Sequence, residues 1–418
     1  MTRMEKLRIG ILNFAGHMNH GANLTAYALQ QTFLQLGHEV HNMHLHCNPA
    51  IYKWDIFTRF ADENIALTKR CAAGVYNMQA FNDDFDVFVV GSDQVWREAE
   101  DAIPGWQWKS KHYACYHLAF AAPGKRRISV AASFGNEVYN APEYIKASLA
   151  RELKRFAAIS VREESALHIV KNVAGEDAVQ LIDPVFYIEP AEWHKLCTHA
   201  DTNHSRKGRI SYNCFYHHEQ MPKILESFLE DYDIYDLCSG DTYAWLNAIR
   251  SSDFVITDSY HVLCFCLIFG ISFVCLAPDG QGETRFLSLQ QLTGFSKNRI
   301  FRVKEVDDLP DRVCRIMEEP IDWETIHSNI ENHREFARGW LDNALAIPVP
   351  AWTGPRYLPA SIMDKRRELK SNSAAYVCHV IRRNRGIVRF LLAVSPIART
   401  FLKQKKAFYD KLLEEFAW

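Results

Sequence analysis

No stretch of this 418-residue chain is long and apolar enough to span a membrane. The longest nearly uncharged run, Val262 to Pro278, is interrupted by Gly270 and Ser272 and falls short of the roughly 20 apolar residues a spanning helix needs. The first residues, MTRMEKLRIGIL, have no separate apolar segment ahead of the first strand-like run, so no secretory leader is expected. None of the 11 cysteines pairs as CxxC. They sit in apolar contexts such as Cys264, Cys266 and Cys275, and an odd, scattered set reads as reduced core thiols of a cytoplasmic protein. That excludes a disulfide framework and leaves little basis for structural zinc. No GxGxxG or GxxxxGK(S/T) occurs, so dinucleotide or P-loop binding has no local support. A formal net charge of −2 gives the molecule as a whole no affinity for nucleic acid. His41, His44 and His46 lie in HNMHLH, but no acidic partner with metal-ligand spacing stands beside them, so a solvated strand end is the reading and no metal is expected.

Hydrophobic residues make up 48% and charged residues 23% of the chain, the balance of a globular protein too long for one core. Charge is unevenly placed. Residues 361–418 carry a net of +8, against −10 for the rest, so a basic tail is set on an acidic body. This tail, with Ile381-Arg382-Arg383-Asn384-Arg385 at its centre, suits either an amphipathic helix on an anionic membrane surface or one packed on the protein itself.

Short apolar runs alternate with helical periodicity. Leu7 to Phe14 and Glu39 to Leu45 read as strands around a helix from Ala22 to Leu36; Phe85 to Val90, Arg127 to Ala132, Ala157 to Val161 and Val179 to Ile182 continue the series. The rhythm is lost near 190–208, which reads as a linker. A second series comes after it, with strands at Arg209 to Phe215, Asp253 to Thr257 and Ser272 to Leu276, a buried helix from Val262 to Phe269, and long helical patterns from Val306 to Leu345. The expected organisation is an α/β protein of two Rossmann-like domains, 1–195 and 205–345, with parallel sheets facing a central cleft, and a basic helical extension over 346–418. Small, polar and ionisable residues follow the strands: Gly91-Ser92-Asp93-Gln94-Val95-Trp96, Ser133-Phe134-Gly135-Asn136, Arg162-Glu163-Glu164-Ser165 and Asp258-Ser259-Tyr260-His261. Ligands of open parallel sheets sit at these carboxyl ends.

These segments carry a resemblance. Gly21-Ala22-Asn23-Leu24, DVFVVGSDQVW (Asp86 to Trp96), Ala132 to Gly135, ISVRE (Ile159 to Glu163), Leu181 to Pro184, DFVITDSYH (Asp253 to His261) and RFLSL (Arg285 to Leu289) together resemble the polysaccharide pyruvyl transferase family over about residues 8–295. Where that family usually has glycine after the histidine, Val262 stands here. The resemblance implies a GT-B-like fold. It also implies an enzyme that moves the enolpyruvyl carbons of phosphoenolpyruvate onto a sugar, forming a pyruvate ketal and releasing phosphate.

Such chemistry needs an acid for the CH2 carbon, and His261 stands in the family's histidine position after a strand; a core histidine is the plainer alternative. The anionic donor calls for bidentate guanidinium groups, which Arg162 and Arg285 offer, with Ser259 adding a hydroxyl; surface ion pairs are the alternative. Asp93 suits a base toward an attacking hydroxyl. Gln94, Trp96 and Asn23 suit the acceptor side, Trp96 by stacking on a pyranose; the alternatives are turn chemistry for Asp93 and Gln94 and a core place for Trp96. Arginines that neutralise a phosphate leave no requirement for a metal or cofactor. The implied partners are phosphoenolpyruvate and a lipid-linked or polysaccharide sugar acceptor of exopolysaccharide or cell-envelope synthesis, with a cytoplasmic site of action at the inner membrane face. The rival readings are a GT-B glycosyltransferase using a nucleotide sugar and a non-catalytic glycan-binding protein.

Overall fold

The computed structural model describes residues 6–15, 19–46, 55–69, 71–72, 75–97, 111–141, 143–197, 208–278 and 282–351. The basic segment 361–418 lies outside the described residues, as does nearly all of the extension expected from 346 onward.

The first lobe is a six-stranded, wholly parallel sheet built from β1 (Arg8–Leu12), β2 (Glu39–Asn42), β3 (Val87–Val90), β4 (Arg126–Ala132), β5 (Ala158–Val161) and β6 (Val179–Gln180), in the order β2-β1-β3-β4-β5-β6. The strand β3, VFVV, is buried at every residue, as expected for a strand covered by helices on both faces. The second lobe has five parallel strands, β7 (Gly208–Asn213), β8 (Tyr232–Asp236), β9 (Phe254–Thr257), β10 (Ser272–Ala277) and β11 (Ile300–Arg302), in the order β8-β7-β9-β10-β11. Two parallel sheets flanked by helices make both lobes Rossmann-like.

Five helices matter most for joining the lobes and placing charged side chains between them: α1 (His20–Gln35), α2 (Thr242–Arg250), α3 (Tyr260–Phe269), α4 (Glu283–Thr293) and α5 (Trp323–Ala346). The α3 sequence, YHVLCFCLIF, has no polar stripe, and a helix apolar on all sides must be covered on all sides. It packs in a single buried cluster that takes side chains from both lobes, including Leu24 and Leu29 of α1, Trp193, Trp245 and Ile326. The strap α5 starts on the second lobe, where His327 Nε2 lies 3.0 Å from the Leu267 carbonyl, and ends on the first, where Arg334 Nε donates to the Phe186 carbonyl (2.8 Å) and Arg338 Nη1 to Gln35 (2.9 Å).

Residues 190–208 are not all linker. Pro190–Cys197 is a helix that buries Trp193, whose indole N–H donates to the Val185 carbonyl at 3.0 Å. The edge strands β8 and β11 escaped the sequence reading. YDIYD is half-buried throughout, so its charges conceal it from a search for apolar runs.

Candidate active site between the two lobes

His261 follows β9 and opens α3, with Ser259 at the N-cap. The ring reaches across to α1 of the first lobe. There the Thr25 hydroxyl donates to the Gly21 carbonyl (2.9 Å) and lies 3.1 Å from His261 Nε2. With its proton committed to Gly21, Thr25 presents a lone pair, which places a proton on Nε2. Gly21 is required by this approach: a Cβ there would lie 2.1 Å from His261 Nδ1. Burial pulls the imidazole pKa below its ordinary value, and Arg162 and Arg285 add to this; Asp183 and Asp93 oppose it without prevailing.

Arg162, directly after β5, is only 1% exposed. Its Nη1 donates to Asp183 Oδ2 at 2.6 Å, and the same carboxylate oxygen stands 3.9 Å from His261 Nε2. Asp183 is fixed from its other side, where Oδ1 accepts from the Val185 N–H (3.1 Å) and Oδ2 also accepts from Ser92 Oγ (3.1 Å). Burial works against the Arg162 charge, but the carboxylates of Asp183, Asp93 and Glu163 outweigh it and raise the pKa, so the guanidinium is permanent. Its Nε and Nη2 are buried with no hydrogen-bond partner among the described residues. Glu163 Oε2, 4.0 Å from Arg162 Nε, is likewise without one, whereas Oε1 accepts from Ser133 Oγ and the Phe134 and Gly135 N–H groups. Buried unpaired donors of a charged group are uncommon and point to a ligand or water.

Arg285 comes from the second lobe, at the start of α4, and is 9% exposed. Its Nε donates to the Gly282 carbonyl (3.2 Å); Gly282 has φ +90°, which calls for glycine, and a Cβ on it would displace the Arg285 Nη2, 2.7 Å away. Burial, then Arg162, lowers the Arg285 pKa. Asp93 adopts φ +84°, costly for a residue with a side chain and a known mark of functional turns. Its Oδ1 accepts from the Gln94 N–H (2.7 Å) and lies 3.9 Å from Arg162 Nη2. Burial favours its protonated form, but His261, Arg162 and the Gln94 amide prevail and hold the carboxyl below its usual range.

His261, Arg162, Arg285 and Asp93 are therefore brought together, with Ser259 half-buried beside them. Trp96 is not among the groups that can meet a ligand. It is fully buried, donates its indole N–H to the Tyr116 carbonyl (3.1 Å) and packs on Phe134 and Phe156, so it offers no face to a sugar. The loop folds it inward because Asp93 bridges to Ala132 and the Trp96 N–H bonds the Ser133 carbonyl (3.1 Å). Asn23 is also removed from the acceptor side: it is completely buried and donates to the Phe57 carbonyl at 3.0 Å. Gln94 is half-buried, packed on Gly135 and accepting from Arg97. Two members of the cluster escaped the sequence reading. Asp183 entered only within the Leu181 to Pro184 stretch of the resemblance, with no role assigned to it, and Thr25 carried no signal beyond its one-turn distance from Gly21. A cavity of about 500 Å³ lined by Glu137, Tyr139, Lys146 and His168 lies apart, and none of His261, Arg162 or Arg285 borders it. Among the described residues, no three His, Cys, Asp or Glu side chains gather to hold a metal ion, and no helix is long and apolar enough to cross a membrane.

Facing Rossmann-like lobes with a charged site between them define the GT-B class of architecture. Solved structures agree at the level of fold. UDP-GlcNAc 2-epimerase from Neisseria meningitidis bound to UDP-GlcNAc is similar, with TM-score 0.52 and 8% identity over 82% of this chain and 100% of that one. UDP-N-acetylglucosamine 2-epimerase from Rickettsia bellii gives 0.51 and 9% over 82% and 96%, and Arabidopsis thaliana UGT89C1 complexed with UDP-L-rhamnose gives 0.50 and 8% over 82% and 100%. A comparison with curated proteins found no match. The family profile described as polysaccharide pyruvyl transferase matches residues 19–280, more than half of the chain, and the chain belongs to that family. It is a transferase of polysaccharide pyruvylation.

Proposed function

We propose that the enzyme takes its pyruvyl group from phosphoenolpyruvate and sets it as a ketal on two hydroxyls of one sugar. The observation that carries this reading is the buried Arg162 guanidinium, whose Nε and Nη2 have no hydrogen-bond partner among the described residues, with the Asp183 carboxylate shared with His261. The donor enters as the lobes part, and its phosphate and carboxylate engage Arg162 and Arg285, with Ser259 adding a hydroxyl. Binding a polyanion favours the charged imidazole, so His261 takes up the proton it then delivers to the CH2 carbon. The electron-poor C2 is attacked by the first sugar hydroxyl, whose proton passes to Asp93. The second hydroxyl forms its bond to C2 as the C2–O bond to phosphate breaks. Phosphate leaves with that electron pair and accepts the second proton, and the proton on Asp93 restores that lost by His261.

On the acceptor side, Phe215 and Tyr216 take the place expected of Trp96. They are 63% and 55% exposed at the carboxyl end of β7, and their backbone N–H groups are pinned by the Asp258 carboxylate three residues before His261. The basic segment 361–418 is assigned to an anionic membrane surface carrying a lipid-linked acceptor. Its deletion should abolish sedimentation with phosphatidylglycerol vesicles, and undiminished binding would remove that assignment. The main test is phosphate release from phosphoenolpyruvate with a panel of aryl and lipid-linked glycosides, with mass analysis of the product. A ketal from wild type but not from His261→Ala is expected. Full turnover by His261→Ala, or turnover with nucleotide sugars in place of phosphoenolpyruvate, would refute the reading.

A further inference from the structure

Tyr260 has no assigned role, yet its ring meets Arg285 and His261 of the second lobe and Arg162 of the first. The Arg162 guanidinium carbon stands over its ring, 4.4 Å from the centroid, and that of Arg285 stands over it at 5.6 Å. The ring packs edge-on against His261 (5.5 Å, 87°) and against Phe286 (5.7 Å, 78°), and is 5% exposed. Cation–π attraction is strongest where water is excluded. Two like charges in one dry site repel, and a neutral π face accessible to both lowers the cost of holding them together. Burial raises the phenol pKa well above its ordinary value, so the ring stays neutral.

We infer that Tyr260 is a positioning residue whose ring gathers Arg162 of one lobe and Arg285 of the other into a single clamp for a phosphate-bearing anion. The inference rests on the donor reading above but concerns an arrangement that can be measured without turnover. Asp183 already holds Arg162 by one edge through Nη1, so the ring leaves Nε and Nη2 for the ligand. Among the described residues the Arg285 guanidinium hydrogen-bonds only to a backbone carbonyl, and it packs on the rings of Tyr260 and Phe286.

The test uses inorganic phosphate as probe, titrated by calorimetry into the full-length protein. Tyr260→Leu keeps apolar bulk but removes the π face and should weaken phosphate binding about tenfold. Tyr260→Phe should restore most of the affinity. Replacement of Tyr260 by mono-, di- and trifluorophenylalanine changes size little while draining the ring face, and should weaken binding in steps with each fluorine. A merely structural ring would show no such gradient, and the series keeps the test decisive if the leucine variant does not fold. Equal affinity across the fluorinated series, or no phosphate binding by wild type, overturns the clamp. A graded series in a protein that never releases phosphate from phosphoenolpyruvate upholds the clamp and defeats the donor reading alone.

Discussion

The tightest constraint on the site is one missing methyl group. Gly21→Ala would place a Cβ 2.1 Å from His261 Nδ1 and 2.2 Å from its Cγ. Ordinary contact begins at about 3.5 Å, so ring and helix must separate by more than about 1 Å. A displacement of about 1 Å at a reacting group costs on the order of 100-fold in rate, about 2.7 kcal/mol of barrier. The expected result is a fall of that size in kcat/KM for phosphate release, with stability lowered by about 1–3 kcal/mol from overpacking. The control is Gly339→Ala, on a helical position with nothing within 4 Å of the added carbon; it should gain up to about 1 kcal/mol and keep full activity. Activity is read by a coupled phosphate assay and stability by urea titration. A folded Gly21→Ala enzyme within a few-fold of wild type would show that the His261 ring does not do the chemistry.

The remaining expectations concern charge and packing. Arg162→Met leaves Asp183 buried beside an apolar side chain, so urea titration should show a loss of about 3–5 kcal/mol, and unchanged stability would mean that the buried pair is not formed. Trp96→Ala should cost about 3–5 kcal/mol while leaving the acceptor KM of the surviving enzyme unchanged; a raised acceptor KM with intact stability would return the indole to the sugar site. Burial holds His20 at about 3 and His117 at about 4, below the ordinary 6.5. The unfolded chain therefore binds protons that the native state refuses, and stability should be full above about pH 6.5 and fall by up to about 1.4 kcal/mol per pH unit per histidine toward those values. His20→Gln should flatten that slope, and an identical acid titration would contradict it. Because burial lowers the His261 pKa, kcat/KM for the donor should decline as pH rises from the acid side of neutrality, and a profile flat from pH 5 to 8 would argue against an imidazolium donor.

Most of the sheet could be read from the sequence because its strands are buried on both faces, and VFVV or FVIT admits few other interpretations. The same principle hid β8, whose exposed edge allows charge, and the Pro190–Cys197 helix, whose two large apolar residues, Trp193 and Leu196, were diluted by polar neighbours. In the site, residues that follow strands were legible, since topology alone brings Arg162, Asp93 and His261 to the carboxyl ends. Orientation was not. Whether Trp96 turns inward depends on a bridge between Asp93 and Ala132 that no local pattern encodes, and the contact of Thr25 and Gly21 with His261 joins positions some 236 residues apart.

The strap α5 also bears on how the molecule comes apart. A chain that returns from its second lobe to anchor on Phe186 and Gln35 cannot be cut at 195–205 into two self-sufficient halves. Each fragment would expose a face that belongs to the other, and loss of the terminal anchor should loosen both together. Denaturation should therefore pass through a single cooperative step, and complementation between separately expressed pieces should succeed only when the partner of the first lobe brings residues 323–346 with it.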